Sequence, residues 1–197
     1  MGGDDAPAAV VEGAIQAVRH ADGDLHVLLT GPESRIREAL DTHPDAPAEA
    51  FEVVDAPDVI GMAEAPAAAV KQKTNSSIHQ GLAAHHDDKA DAFVSAGNTG
   101  AIMGAAMFIL GRIPGVERPS IAGFFPNLRG SSVVLDIGSN VDCKPSHLVQ
   151  FARMGTIYAR RALGNDDPTV GLLNIGEEPG KGNELAKEAY GLLRDAD

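Results

Sequence analysis

Tryptophan is absent from this chain, and aromatic residues make up only 4% of it. A core with so few rings has to be assembled from Ala, Val, Leu and Ile. Cysteine is nearly absent too. Cys143 is the single one, which excludes a disulfide framework or a thiolate metal cluster within the chain. Positive charge is scarce: 16 Lys and Arg stand against 28 Asp and Glu, a formal net charge of -12. A field of that sign repels nucleic acid and anionic lipid surfaces as general partners. Small anions are held only where local groups override it. The same acidic surplus fits a salt-rich cytoplasm. Long hydrophobic runs are missing as well. The stretch "AIMGAAMFIL" at 101–110 falls well short of the roughly 18 residues that a membrane span needs. The opening "MGGDDAPAAV" has neither the basic head nor the apolar stretch of a secretion signal. A soluble protein of the reducing cytoplasm is expected.

What is present is enough for one substantial core, or one lobe of something larger: 197 residues, 44% of them hydrophobic. Short β-type runs alternate with helical ones. Strands are expected at "LHVLLT" (25–30), "FEVV" (51–54), "DAFVSA" (91–96), "SIAGFF" (120–125), "SSVVLDI" (131–137) and "TVGLLNI" (169–175), with the turn "PNLRG" joining the fourth to the fifth. Helices are expected at 6–21, at "ESRIREAL", and at "PAAAVKQK". A further helix falls at "NSSIHQGLAAHH", where Ser77 and Gln80 have capping-box spacing. The remaining ones are "TGAIMGAAMFIL", 145–163 and "ELAKEAYGLL". Pro145 suits a first helical turn, and Leu148, Phe151, Ala152, Gly155 and Tyr158 or Ala159 fall on one face. Such alternation argues for a single α/β domain over 1–197, with a mostly parallel sheet between two layers of helices. Continuous apolar strands agree, because a strand covered on both sides has no polar face.

In open parallel sheets, ligands bind outside the carboxyl ends of the strands. Three strand-to-helix loops share a chemical character: "SAGNTG" (95–100), "DIGSNVDC" (136–143) and "NIGEEPGKGNE" (174–184). "MGGDD" (1–5) has the same composition. Glycine allows close backbone approach, and a helix N-terminus supplies free N–H groups with partial positive charge. Glycine and asparagine are equally ordinary turn residues, so no single loop decides between turn and anion seat. Lys181 tips the balance. A lysine opening a helix opposes the helix dipole, so stability alone does not favour it there, and an oxyanion does. The spacing excludes a P-loop: Gly176 to Gly180 leaves three intervening residues, and Gly182 stands where the hydroxyl belongs. No G-x-G-x-x-G follows a strand, which leaves a dinucleotide cofactor without support.

Other candidates carry less. "HHDD" (85–88) has metal-ligating types, but adjacent residues on a helix point apart, as a solvated helix end would. Cys143 lies between Asp142 and Lys144, with no histidine directly beside it to act as base, and reads as a small buried thiol. "KQK" (71–73) fits a second anion contact or an exposed helix end.

Taken in order, "MGGDDAPAAVVEGA", "KTNSS", "ADAFVSAGNTGAIMGAA", "LDIGSNVDCKPSHLVQFARMGTIYA" and "VGLLNIGEEPGKGNEL" closely resemble the bacterial phosphate acyltransferase family, from Met1 to about Leu193. The resemblance implies transfer of a long-chain acyl group from acyl carrier protein to inorganic phosphate, feeding phospholipid synthesis. It also implies a fold similar to the isocitrate and isopropylmalate dehydrogenases, a homodimer, no cofactor, and loose membrane association. Members of that family carry a short apolar strand before the Met-Gly-Gly-Asp loop and a further set of strands beyond this length. On that pattern the chain matches the first part of the enzyme.

The resemblance further implies that Lys181 binds and activates phosphate, with Asn183 and the Gly180–Gly182 backbone as additional donors. Gly97, Asn98, Thr99, Gly100 and Asn140 line the same edge, and Gly2, Gly3 and Asp4 close it. Arg112, Arg118 and Arg129 are candidates for a local basic patch facing the acidic carrier. Two alternatives stay open: a non-catalytic piece that binds phosphate or a partner, and a phosphate acetyl- or butyryltransferase acting on coenzyme A.

Overall fold

The structure is a computed structural model that describes residues 1–21, 23–128, 130–138, 142–178 and 180–196. It divides into two compact units, Met1–Gly111 and Arg112–Asp197.

The first unit begins with α1 (Ala8–His20), whose Val11, Ile15 and Val18 repeat at helical spacing and are buried. Strand β1 (Val27–Gly31) leads through α2 (Glu33–Asp41) and a short 3-10 turn (Ala48–Ala50) into β2 (Phe51–Asp55). β1 and β2 pair in parallel, Val27 opposite Phe51 through Gly31 opposite Asp55. Val11, Ile15, Leu29 and Ile36 form the core between them and the two helices. A second core joins α3 (Pro66–Gln72), α4 (Ser77–His86) and α5 (Thr99–Ile109) through Ile60, Val70, Ile78, Leu82, Ala101 and Ala105. Small residues on α5 let the three helices approach closely: Ala101 and Ala105 are wholly buried. Gly81 on α4 works the same way, since a Cβ there would come within 2.4 Å of the Phe93 ring.

In the second unit, β3 (Ala122–Asn127) and β4 (Gly130–Leu135) form an antiparallel hairpin, the arrangement expected around "PNLRG". α6 (Pro145–Leu163) lies against β4. Phe151 and Ala159 are buried, and a Cβ on Gly155 would sit 2.6 Å from Leu135 Cδ1. The ring of Tyr158 meets that of Phe124 with centroids 5.7 Å apart. Gly164, at φ 65°, ends α6 in the left-handed conformation that favours glycine. α7 (Glu184–Arg194) closes the unit.

The architecture is mixed α/β, with one parallel pair and one antiparallel pair among the described residues. Two expected strands differ. Residues 91–96 and 169–175 run without a ladder partner, leaving Val94 and Leu173 each 93% exposed and Ile175 87% exposed. Their apolar, β-branched composition marks an extended backbone, but a strand also requires a neighbour, and composition does not supply one. The α4 cap also moves by one residue. Ser76, not Ser77, is the N-cap, and its side chain accepts from His79 N. Two consecutive serines offer the same chemistry, and only backbone geometry chooses between them.

Candidate functional site

Two of the glycine and asparagine loops meet inside the first unit. Gly2 lies directly on Gly97: a Cβ on Gly2 would fall 2.4 Å from Gly97 Cα and 2.5 Å from its nitrogen. Any side chain at position 2 is therefore barred by backbone. Gly3 follows at φ +85°, a conformation that glycine adopts freely. Asp4, next in that turn, is exposed. On the other side, Ser95 Oγ accepts from Gly97 N at 3.1 Å, bending the chain into α5. Asn98 caps α5 by accepting from Ala101 N at 3.0 Å. Its amide nitrogen is also engaged, facing the carbonyl oxygens of Gly61, Met62 and Glu64 at 3.3, 3.2 and 3.1 Å. The side chain thus faces inward, 6% exposed. In the first turn of α5, the Thr99 and Gly100 N–H groups have no hydrogen-bond partner among the described residues, as is usual for the first donors of a helix.

In the second unit, the loop before α7 is stitched by Asn174. Its Nδ2 donates to Lys181 O at 2.9 Å, while its Oδ1 accepts from Ile175 N at 2.9 Å. Lys181 N in turn donates to Glu178 O at 2.9 Å. Gly182 sits at φ +92°, and a Cβ there would come 2.4 Å from Asn174 Oδ1, so strain and space both demand glycine. Asn183 caps α7, accepting from Ala186 N at 2.9 Å. Its amide nitrogen and the Lys181 ammonium have no partner among the described residues. Both residues are exposed, and Gly180 has open space around it. A groove of about 510 Å³ runs beside this loop, lined by the polar Asn174, Glu177, Glu178 and Lys181 and by the apolar Leu172, Ala186 and Tyr190 among others. An ammonium and an amide donor that lack partners among the described residues, at a helix N-terminus beside a partly apolar groove, suit an anion that carries a hydrophobic tail. Asn140 lies outside the described residues, as does Arg129.

The fatty acid synthesis protein family matches the chain over residues 1–197. The chain belongs to that family. It is 74% identical over 197 residues to a phosphate acyltransferase of Salinibacter ruber, covering 100% of this chain and 58% of that protein. It is 52% identical over 197 residues to one of Chlorobaculum parvum, again covering 100% and 58%. Identity to one of Clostridium beijerinckii is 48% over 195 residues, covering 99% and 58%. The chain therefore spans 58% of the length of these curated relatives.

The remaining candidates of this family member have structural partners. Arg112 donates to Glu117 O at 2.5 Å, and Arg118 donates to Asp142 O. Lys73, in "KQK", donates to Val59 O and to Glu64 Oε1, each at 2.6 Å. In "HHDD", His85 Nδ1 faces Ala90 O at 2.8 Å while His86 pairs with Asp87 at 3.2 Å. No group of three or more metal-ligating side chains occurs among the described residues. No helix there is long and apolar enough to cross a membrane. Cys143 Sγ donates to Asp136 Oδ2 at 3.2 Å. Burial, then the Asp136 hydrogen bond, pushes its thiol up to about 11. It is a poor nucleophile at neutral pH.

Sequence reasoning missed Asn174 and Glu64. Asn174 carries a signal, since it ends an apolar run and opens the glycine-rich loop. Glu64 sits in a proline-punctuated stretch with no periodicity, and nothing local marks it.

Proposed function

We propose that this chain is the N-terminal portion of a phosphate acyltransferase, and that the whole protein transfers a long-chain acyl group from acyl carrier protein to inorganic phosphate. The observation that carries this reading is 74% identity, across the entire chain, to a protein of that name. Residues 1–197 form one α/β domain in this reading. The unpaired stretches 91–96 and 169–175 become strands of a mostly parallel sheet in a three-layer fold like that of the isocitrate and isopropylmalate dehydrogenases. The exposed Val94, Leu173 and Ile175 support it, because such side chains call for cover.

Phosphate is itself the nucleophile. One of its oxygens attacks the thioester carbonyl, the C–S bond breaks, and the carrier leaves as a thiolate that takes up a proton to become the free thiol. The protein positions two reactants and stabilises the transient oxyanion. Lys181 offers a positive charge to phosphate. Asn183 Nδ2 and the Gly180–Gly182 backbone offer further donors; within the first unit, the Thr99 and Gly100 N–H groups offer an anion seat of their own. Gly2, Gly3 and Gly97 shape the turn beside α5, and the Asn98 side chain sets its first turn. The acidic carrier is best received by residues 112–197, where acidic and basic side chains nearly balance, whereas residues 1–111 hold almost all of the acidic surplus. The working protein is a homodimer, cytoplasmic and loosely membrane-associated.

The test is thiol release from palmitoyl carrier protein, with and without inorganic phosphate, using this chain and a form lengthened to match its relatives. Lys181→Ala is expected to lower the phosphate-dependent rate about a hundredfold or more with circular dichroism unchanged. An undiminished rate overturns the assignment. Phosphate uptake without turnover in either form would instead favour a binding role.

A further inference from the structure

Asn98, Glu64 and Lys73 form a connected set of contacts, and only the first has been given a part so far. Asn98 Oδ1 caps α5 through Ala101 N. A cap needs no more than that oxygen, and serine would supply it equally well. What asparagine adds is the amide nitrogen, aimed at three backbone carbonyls of the loop at 61–64. Two hydrogens serve three acceptors, so the loop must present those carbonyls in one particular arc.

That arc is held from its other side. Glu64 Oε1 accepts from Gly61 N at 2.6 Å and from Lys73 Nζ at 2.6 Å. The same ammonium donates to Val59 O at 2.6 Å. One lysine at the end of α3 therefore closes the loop at both of its ends. Pro66, just past the loop, bears on α5 as well: a Cβ on Gly100 would fall 2.7 Å from Pro66 Cγ. The Lys73 and Glu64 side chains are 31% and 38% exposed, and ion pairs so open to water contribute little stability. Their geometry is the more consequential property.

We propose that Lys73 and Glu64, acting through the loop at 61–64 and Asn98, are positioning residues that fix where the first turn of α5 aims its Thr99 and Gly100 N–H groups. The inference rests on the reading that these groups receive phosphate. A helix end that binds an anion works by pre-set direction, and a tilt of the first turn loses contacts without unfolding anything.

The test uses the full chain with inorganic phosphate as the probe, followed by calorimetric titration. Hydrogen exchange of the Ala101 amide, which hangs on Asn98 Oδ1, gives a second measure. Asn98→Ser keeps a capping oxygen, removes the amide and adds no charge. It is expected to weaken phosphate binding about tenfold. Lys73→Met is expected to weaken it about three- to tenfold and to speed Ala101 exchange, with the melting temperature nearly unchanged. Lys73→Arg restores both measures. The double variant binds no more weakly than Asn98→Ser alone, because the two residues act in series. Wild-type affinity and unaltered Ala101 exchange in Lys73→Met would overturn the clasp. If the parent chain binds phosphate and Asn98→Ser and Lys73→Met both retain that affinity, the clasp fails and the phosphate reading stands. A parent chain that takes up no phosphate overturns that reading, and Ala101 exchange then decides the clasp by itself.

Discussion

Two asparagines, each capping a helix, divide the work differently. Asn98 spends both ends of its amide on the fold, whereas Asn183 spends its oxygen on Ala186 N and leaves its nitrogen without a partner among the described residues. An asparagine just before a helical run is legible as a cap in sequence alone. What its other end does is not, because the Asn98 partners lie 34 to 37 residues upstream in a stretch without periodicity. Lys181 stands out in the sequence for a physical reason, its unfavourable place against a helix dipole, while Lys73, equally visible as a charge, is turned to Glu64. The Glu64 carboxyl is held below the usual carboxylate range by the Lys73 hydrogen bond first and by Gly61 N second. Its contribution is thus fully present above the ordinary carboxylate pKa and is lost as pH falls through the lowered value. Ala101 exchange, corrected for the intrinsic rate, is accordingly expected to stay constant from pH 7 down to the carboxylate range and rise only below it. A rise already at neutral pH would contradict the pairing. Cys143 gives a second check. With its thiol near 11, thiolate at pH 8 is roughly a hundredfold scarcer than for a cysteine at 9.0, and iodoacetamide alkylation should be slower in proportion.

At the level of helices and strands, the punctuation residues carried most of the information. Pro145 and Gly164 bracket α6, which spans the residues expected of it. β1, β2 and the hairpin also fall within two residues of their expected positions. The stretches 91–96 and 169–175 did not form ladders, since apolar composition specifies a strand's faces and not its neighbours. Packing between elements was invisible in the same way. Gly81 looks like an ordinary weak point in α4, yet the Phe93 ring rests where its Cβ would be, 2.4 Å away. Gly81→Ala therefore gains helix propensity and loses packing. The loss is larger, because the ring must move: a net destabilisation of about 1–3 kcal/mol is expected. Chemical denaturation would register it as a lower midpoint at constant slope, and an unchanged or raised midpoint would argue against the contact.

For the molecule as a whole, charge and exposed apolar surface oppose each other. A net charge of -12 keeps copies apart, while Val94, Leu128, Leu173 and Ile175 present bare hydrocarbon. Screening should let the second tendency win. Light scattering from this chain is expected to rise with ionic strength, and Leu173→Lys should blunt that rise; scattering indifferent to salt would show that these side chains do not drive association. One arrangement has a bearing on biogenesis. Both described core clusters lie upstream of Gly111, within a contiguous first unit. During synthesis on the ribosome, the residues of those two clusters can therefore meet before the second unit is translated, so their collapse proceeds vectorially while Val94 stays bare.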